Sequence, residues 1–310
     1  MNIVILDRKT LGLNIDMSIF DTLGNVKSFD TTKPNETIQR LQDADIVITN
    51  KVVISKDVMD NTNLKLICIS ATGMNNVDLE YAKQKNIAVK NVAGYSSSSV
   101  VQLAFSMIFQ IVQKLDYYKK YVDDGNWQKS EIFTHIDKPF FELDGKKVGI
   151  IGLGDIGRNF AKKASAFDCE VVYFSTSGNN SNTQYKRVEL NELLETCDVI
   201  SIHCPLNENT KDLLNYENMK SIKDGAILLN LGRGGIINEA DLAKIIDEKE
   251  IYCGIDVVSV EPILESNPLL KVKNKDRLIL TPHIGWASVE ARNRLVKMVA
   301  KNIEEFIFQK

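Results

Sequence analysis

Residues Lys146–Gly157 read KKVGIIGLGDIG. The apolar run Lys147–Ile151 leads directly into Gly152-Leu153-Gly154-Asp155-Ile156-Gly157, and Arg158–Phe167 beyond it has helical character. In that setting the spacing G-x-G-x-x-G has a mechanism. Gly152 permits a tight turn after a strand, Gly154 removes a Cβ so that backbone can approach a pyrophosphate, and Gly157 lets the following helix pack against the strand. The helix N-terminus offers unpaired N–H groups and the positive end of its dipole to phosphates. Glycines also mark ordinary turns; the strand before and the helix after make this run a dinucleotide-binding signature.

The bulk properties narrow what surrounds it. A chain of 310 residues suits two domains better than one core. Its hydrophobic fraction of 44% and charged fraction of 25% are those of a globular protein. The formal net charge of −3 provides no basic surface, so neither nucleic acid nor an anionic membrane is an expected partner. The opening MNIVILDRKT reads as a strand, not a signal peptide. No apolar run approaches the ~20 residues of a bilayer span. Cys68, Cys169, Cys197, Cys204 and Cys253 form no C-x-x-C pair and lie in or beside apolar strand patterns, which suits buried thiols in a reducing cytosol. The histidines are scattered, so no metal site is expected.

Two β/α series flank a long helix. The first has strands at Ile3–Leu6, Ile46–Thr49, Leu64–Ser70 and Ile87–Val89, with helices at Glu36–Gln42 and Asp78–Gln84. The second, opened by the turn Asp144-Gly145, has strands at Lys147–Ile151, Glu170–Phe174, Val199–His203, Ala226–Asn230, Tyr252–Asp256 and Leu278–Thr281. Such alternation predicts an α/β protein of two Rossmann-like domains with doubly wound parallel sheets and a cleft between them. A first domain is expected over 1–98 plus 286–310, with the helix near Ser288–Phe308 returning to it, and a dinucleotide domain over 99–285. Between the series, an apolar stripe from Val100 to Leu115 continues toward Tyr118 and Tyr121 and predicts a helix over 99–122. A helix this apolar is buried between domains or against another subunit. The stretch Gly125–Leu143, with Trp127, Phe133, Phe140 and Phe141, has little regular patterning and reads as a surface wrap.

Three strand ends carry unusual polar residues: Arg233 in LLNLGRGGIIN, Glu261 in GIDVVSVEP and His283 in TPHIGWAS. Each alone suits a loop. In an open α/β sheet, however, ligands bind outside the carboxyl ends of the strands, where all three emerge. As a set they fit carbonyl reduction. Hydride addition to a carbonyl carbon builds negative charge on oxygen, which a protonated imidazole neutralises by proton transfer. A carboxylate beside the ring favours and orients the imidazolium. A guanidinium grips a substrate carboxylate with its planar fork. The implied substrate is a small 2-oxo acid.

Over essentially its full length the chain resembles the D-2-hydroxyacid dehydrogenases. ATGMNNVDLEYA resembles that family's substrate loop and NVAGYSSSSVVQLAF its domain-crossing helix entry; GLGDIG, IHCPLNENT, NLGRGGIINE, DVVSVEP and TPHIGWAS match its later landmarks in order. The resemblance implies that Arg233 binds substrate carboxylate and carbonyl, that Glu261 tunes the histidine, and that His283 is the acid/base. It implies that Ala71-Thr72-Gly73-Met74 presents backbone N–H groups to the substrate. Cofactor contacts are implied at Gly152, Gly154, Asp155, Ile156 and Gly157, at His203, Cys204, Pro205 and Thr210, at Leu231, Gly232 and Arg233, and at Asp256, His283 and Gly285. A homodimer joined through the 99–122 helix is also implied. Within the family, ITNKVVI, GNWQKS and SVEPILESNPLLKVKN resemble the glycerate dehydrogenase (hydroxypyruvate reductase) group, with Trp286 and Glu290 in the run that follows. That likeness points to reduction of hydroxypyruvate to D-glycerate and makes Lys51 a candidate substrate contact, although a snorkelling surface lysine reads the same way. Glyoxylate, pyruvate or a branched 2-oxo acid are alternative substrates, and an NAD(H)-sensing corepressor is the alternative of another class.

One departure concerns the cofactor. An NAD site expects an acidic residue about 20 positions after the glycines, at the end of the second strand. This chain has Ser175-Thr176-Ser177-Gly178 there. Loss of the carboxylate removes repulsion against a 2′-phosphate, and the hydroxyls of Ser175, Thr176 and Ser177 can bind one. No arginine stands in the turn itself, and Lys186 and Arg187 further on read as solvated. Both NAD and NADP are expected to serve, with a lean toward NADP.

Overall fold

A computed structural model describes residues 1–180 and 182–308. The chain divides into two compact units, Met1–Ser96 with Trp286–Lys310, and Ser97–Gly285. In the first unit, strands β1 (Asn2–Ile5), β2 (Asn25–Ser28), β3 (Ile46–Thr49), β4 (Leu66–Ile69) and β5 (Ala88–Lys90) form one parallel sheet in the order β2-β1-β3-β4-β5. The runs IVIT and LICI are buried at every residue, as central parallel strands covered on both faces must be. Alternation sends Ile3, Ile5, Ile46 and Ile48 to one core and Val4, Leu6 and Val47 to the other. The first of these cores is completed by Leu295, Val296, Val299 and Ile303 of the helix Val289–Phe308, so the C-terminal helix does return to the first unit. Trp286 joins the same core, edge-on to Tyr95. Strand β2 carried no signal, because NVKS is an exposed edge.

The second unit contains β6 (Lys147–Ile151), β7 (Glu170–Phe174), β8 (Lys186–Arg187), β9 (Val199–Ile202), β10 (Ile227–Asn230), β11 (Tyr252–Ile255) and β12 (Leu278–Leu280). All run parallel in the order β12-β11-β10-β9-β6-β7-β8. The helix Ser97–Gln113 buries Val101, Ala104, Met107, Ile108 and Val112 against Ile150, Tyr173 and Leu229 of this sheet. Its apolar stripe packs on the second unit's own sheet. One expectation is corrected by it: the helix ends at Gln113, where Lys114 is left-handed (φ 49°, ψ 40°), and Leu115–Asp123 continues at a bend of 57°. The apolar face runs out where the sheet ends, and no residue of Leu115–Asp123 is buried, so no packing holds the two segments on one axis. Tyr117 and Tyr121 instead enclose His135, with the Tyr121 ring stacked 3.7 Å away and the Tyr117 hydroxyl 2.8 Å from Nε2. Among the described residues no single helix is long and apolar enough to cross a membrane.

Candidate active site

The strand order of the second sheet reverses between β6 and β9, and there the glycine-rich turn stands. Gly152 has φ +93°, and a Cβ on it would lie 2.7 Å from the Cys204 nitrogen. A Cβ on Gly157 would lie 2.3 Å from the Gly152 carbonyl oxygen. Both glycines are therefore required by the protein's own packing. Gly154 differs: a Cβ there would meet nothing within 4 Å. The missing side chain at that position is explained by an outside group that must approach the backbone, the requirement of a pyrophosphate over the N-terminus of helix Asp155–Ser165. The residues present thus fit a dinucleotide. Asp155 is held by the Ser97 hydroxyl, which donates to its carboxylate.

On the other side of the turn β9 delivers His203, Cys204 and Pro205. His203 packs its ring on Phe160 at 5.2 Å and places Nε2 2.9 Å from the Ser201 hydroxyl; its Nδ1 is buried without a partner among the described residues. Burial drives this imidazole down to about 3, so it stays neutral and takes no part as an acid. Burial likewise pushes the Cys204 thiol up to about 11, which leaves it a packing group under Gly152.

The catalytic candidates sit on the loops after β10, β11 and β12, which are consecutive in the sheet. Asn230, Ile255 and Leu280 end these strands in register, so the three loops leave from one edge. Buried Asn230 shapes the first loop: its Nδ2 donates to the Arg233 carbonyl at 2.9 Å and its Oδ1 accepts from Gly232 N at 3.1 Å. Arg233 Nη1 donates to the Gly232 carbonyl at 2.8 Å. A Cβ on Gly234 would lie 2.1 Å from the Val258 carbonyl carbon, so the Arg233 loop lies directly on the loop that carries Glu261. Glu261 Oε1 accepts from Val258 N at 3.3 Å, and its Oε2 lies 2.7 Å from His283 Nδ1. With Nδ1–H donating to the carboxylate, Nε2 is the ring nitrogen left for substrate. Glu261 and His283 are partly exposed, at 30% and 27%, as groups that meet a small molecule must be.

His283 itself has φ +55°, an uncommon conformation for a residue with a Cβ. Asp256 maintains it. This carboxylate, 2% exposed, accepts from Thr281 Oγ1 (2.6 Å) and Ile284 N (2.8 Å) through Oδ1, and from Gly285 N (2.8 Å) through Oδ2. Asp256, expected as a cofactor contact, thus supports the histidine loop. Thr210, also expected as a cofactor contact, is held in the same way. It is wholly buried, its hydroxyl donating to the Pro205 carbonyl and accepting from Asn207 N, so it shapes the His203–Thr210 loop from within.

Ser175 follows β7 and is buried, with Thr176 half-buried and Ser177 exposed in the turn beyond it. Leu231 is buried below the Arg233 loop. In the first unit Lys51 and Ala71–Met74 follow the adjacent strands β3 and β4. Lys51 is exposed, and its backbone N–H donates to Asp7 Oδ2 at 2.7 Å. Thr72 is held by its hydroxyl, which donates to the Val92 carbonyl at 3.0 Å. Sequence reasoning missed Asp7, Asn230 and the supporting role of Asp256. Their shared signal is a polar residue at the end of an apolar strand run.

Residues 105–285 match the family described as "D-isomer specific 2-hydroxyacid dehydrogenase, NAD binding domain". The chain is 39% identical to a hydroxypyruvate reductase of Blautia hydrogenotrophica, over 99% of this chain and 97% of that protein. It is 34% identical to a glycerate dehydrogenase of Methylorubrum extorquens, over 98% and 96%. Among solved structures, an acyclic imino acid reductase in complex with NADPH and D-Arg superposes with a TM-score of 0.86 at 27% identity, covering 100% of this chain and 98% of that one. An NAD-binding domain matched over most of the chain, on the glycine cradle and strand-end loops described above, has one reading: the chain belongs to the D-2-hydroxyacid dehydrogenase family and is an NAD(P)-dependent oxidoreductase.

Proposed function

We propose that the chain reduces hydroxypyruvate to D-glycerate, with Arg233, Glu261 and His283 as its catalytic set. The observation that carries the reading is the 2.7 Å pair between Glu261 Oε2 and His283 Nδ1 on a loop adjoining that of Arg233. When bound, the reduced nicotinamide supplies the hydride for the carbonyl carbon. His283 delivers a proton from Nε2 to the carbonyl oxygen and keeps Nδ1–H on Glu261, which fixes the tautomer throughout. Arg233, with one N–H given to the Gly232 carbonyl, retains further donors for the substrate carboxylate and carbonyl oxygen. Lys51 and the N–H groups of Ala71-Thr72-Gly73-Met74 are assigned to substrate binding within this proposal. The names of the two relatives support the choice of substrate. Glyoxylate and pyruvate are the competing substrates.

The glycine cradle supports NAD(P) binding through Gly152, Gly154, Ile156 and Gly157. A homodimer is part of the proposal too. Ile132, Phe133, Ile136 and Phe140 expose 63, 89, 69 and 53% of their surface along one segment, an apolar concentration that a second copy would cover.

The test is loss of reduced-nicotinamide absorbance with hydroxypyruvate, glyoxylate and pyruvate, each with NADH and NADPH. His283→Asn is expected to lower kcat about 10²–10⁴-fold while dinucleotide binding survives. Arg233→Ala is expected to raise KM for the 2-oxo acid as well. Near-normal turnover in His283→Asn overturns the assignment.

A further inference from the structure

We propose that Arg187 is the residue that selects the coenzyme, by binding the 2′-phosphate of NADPH together with the hydroxyls of the turn after β7. The inference rests on the dinucleotide-binding reading above and concerns a side chain that sequence spacing left in solvent.

Three observations carry it. First, Lys186-Arg187 is not a free loop but the edge strand β8, with Arg187 in register with Tyr173 of β7. That pairing brings a residue 12 positions beyond Ser175 back beside the turn. Second, Arg187 Nη1 donates to the Gly178 carbonyl at 2.8 Å, and Nη2 lies 4.0 Å from where a Cβ on Gly178 would stand. The turn is closed by Gly178 N donating to the Ser175 carbonyl at 3.2 Å, so the guanidinium is fixed against the segment that bears Ser175, Thr176 and Ser177. Third, the segment is tied to the glycine-rich turn. Asn180 Nδ2 donates to the Leu153 carbonyl at 2.9 Å, and the Tyr173 hydroxyl donates to the Asn180 carbonyl at 3.1 Å. Pyrophosphate cradle and hydroxyl turn are thus one hydrogen-bonded assembly.

The charge pattern fits a phosphate and not a ribose hydroxyl. A 2′-hydroxyl is recognised by an acidic acceptor at the end of the second strand, and Ser175 stands there. Lys186 is paired with Glu192 at 3.1 Å, whereas Arg187 makes no ion pair among the described residues. Its planar fork carries five N–H donors, of which the Gly178 carbonyl takes one. The rest match the oxygens of a phosphate bidentately.

The experiment titrates the full-length protein with NADPH, NADH, 2′,5′-ADP and 5′-AMP by calorimetry, for wild type, Arg187→Ala and Arg187→Lys. Wild type is expected to bind NADPH more tightly than NADH. Arg187→Ala is expected to lower the NADPH-to-NADH affinity ratio about tenfold or more, and the 2′,5′-ADP-to-5′-AMP ratio in parallel. Arg187→Lys, which keeps the charge but loses the fork, should fall between. A ratio unchanged in Arg187→Ala, including equal weakening of both coenzymes, overturns the inference and leaves the arginine as a brace for the turn. So does a wild type that prefers NADH. If wild-type protein bound neither dinucleotide, the dinucleotide-binding reading would fall first; if it reduced hydroxypyruvate with both coenzymes while the ratio stayed fixed in Arg187→Ala, only the role of Arg187 would fall.

Discussion

In the first unit the strand order reverses between β1 and β3, and in the second between β6 and β9. An open parallel sheet parts its loops at such a point and leaves a crevice at the carboxyl ends of the strands. The two units treat that crevice in opposite ways. In the second unit it is lined by glycine, and Gly154 leaves backbone uncovered. In the first it is filled from within. Asp7 follows β1, is 5% exposed, and accepts from Asn50 N, Lys51 N and Val52 N at 3.0, 2.7 and 3.3 Å, with the Thr49 hydroxyl at 3.2 Å. One carboxylate thus supplies the anion that the N–H groups of a switch-point loop would otherwise take from a ligand. Topology creates an anion-seeking crevice in both units; the first residues after the strand decide whether the protein or a phosphate satisfies it.

The largest effect is expected from emptying the filled crevice. Asp7→Ala takes the carboxylate from Asn50 N and Lys51 N, while Val52 N keeps the Thr49 hydroxyl at 3.0 Å, and should cost about 3 kcal/mol of stability. Urea denaturation followed by tryptophan fluorescence measures this. Dinucleotide affinity, a property of the other unit, should stay within about twofold, the range of sites that share no partners. Unchanged stability, or a collapse of dinucleotide binding, would break the contrast between the two crevices.

The open crevice separates two kinds of glycine. Gly152→Ala places a Cβ at φ +93° and 2.7 Å from Cys204 N, which should lower stability by about 2 kcal/mol and dinucleotide affinity with it. Gly154→Ala meets no protein atom within 4 Å and should leave stability within about 0.5 kcal/mol of wild type. Its dinucleotide affinity should nevertheless fall, by about tenfold, because the methyl stands where a pyrophosphate approaches. Thermal unfolding with and without NADPH reads both quantities. If Gly154→Ala bound the dinucleotide as wild type does, the cradle would be a turn and nothing more.

Much of this contrast could be read from the chain before any coordinates, for definable reasons. Strands β3, β6 and β7 were legible to the residue, because central parallel strands are apolar on both faces and end in glycine or polar residues. Arg233, Glu261 and His283 were legible as strand-end residues, although only the sheet order makes their loops neighbours. What stayed hidden depends on contacts distant in sequence. The two-residue edge strand Lys186-Arg187 has no periodicity to detect, and its meaning arises only when it pairs with β7. Asp7 gave no signal of its role, since its partners lie 42 to 45 positions away. The break at Lys114 escaped because an apolar stripe reports how much surface is to be buried and not where the burying sheet stops.

His203 tests how dry the wall of the open crevice is. Its imidazole is driven from an ordinary value of 6.5 down to about 3 by burial, with Nε2 on Ser201 and Nδ1 shielded. Between those two values the unfolded chain takes up a proton at this residue and the folded chain does not. Stability therefore falls as pH drops below 6.5, since the state that binds more protons is favoured as they become abundant. His203→Gln removes that term while it keeps a hydrogen-bonding group near Ser201. Urea unfolding of wild type and His203→Gln at neutral pH and near pH 5 should show wild type losing more stability on acidification, with every other group common to both and cancelling in the difference. Parallel losses in the two proteins would mean that water reaches the ring, and that the wall between β6 and β9 is wetter than the packing of Phe160 and Cys204 implies.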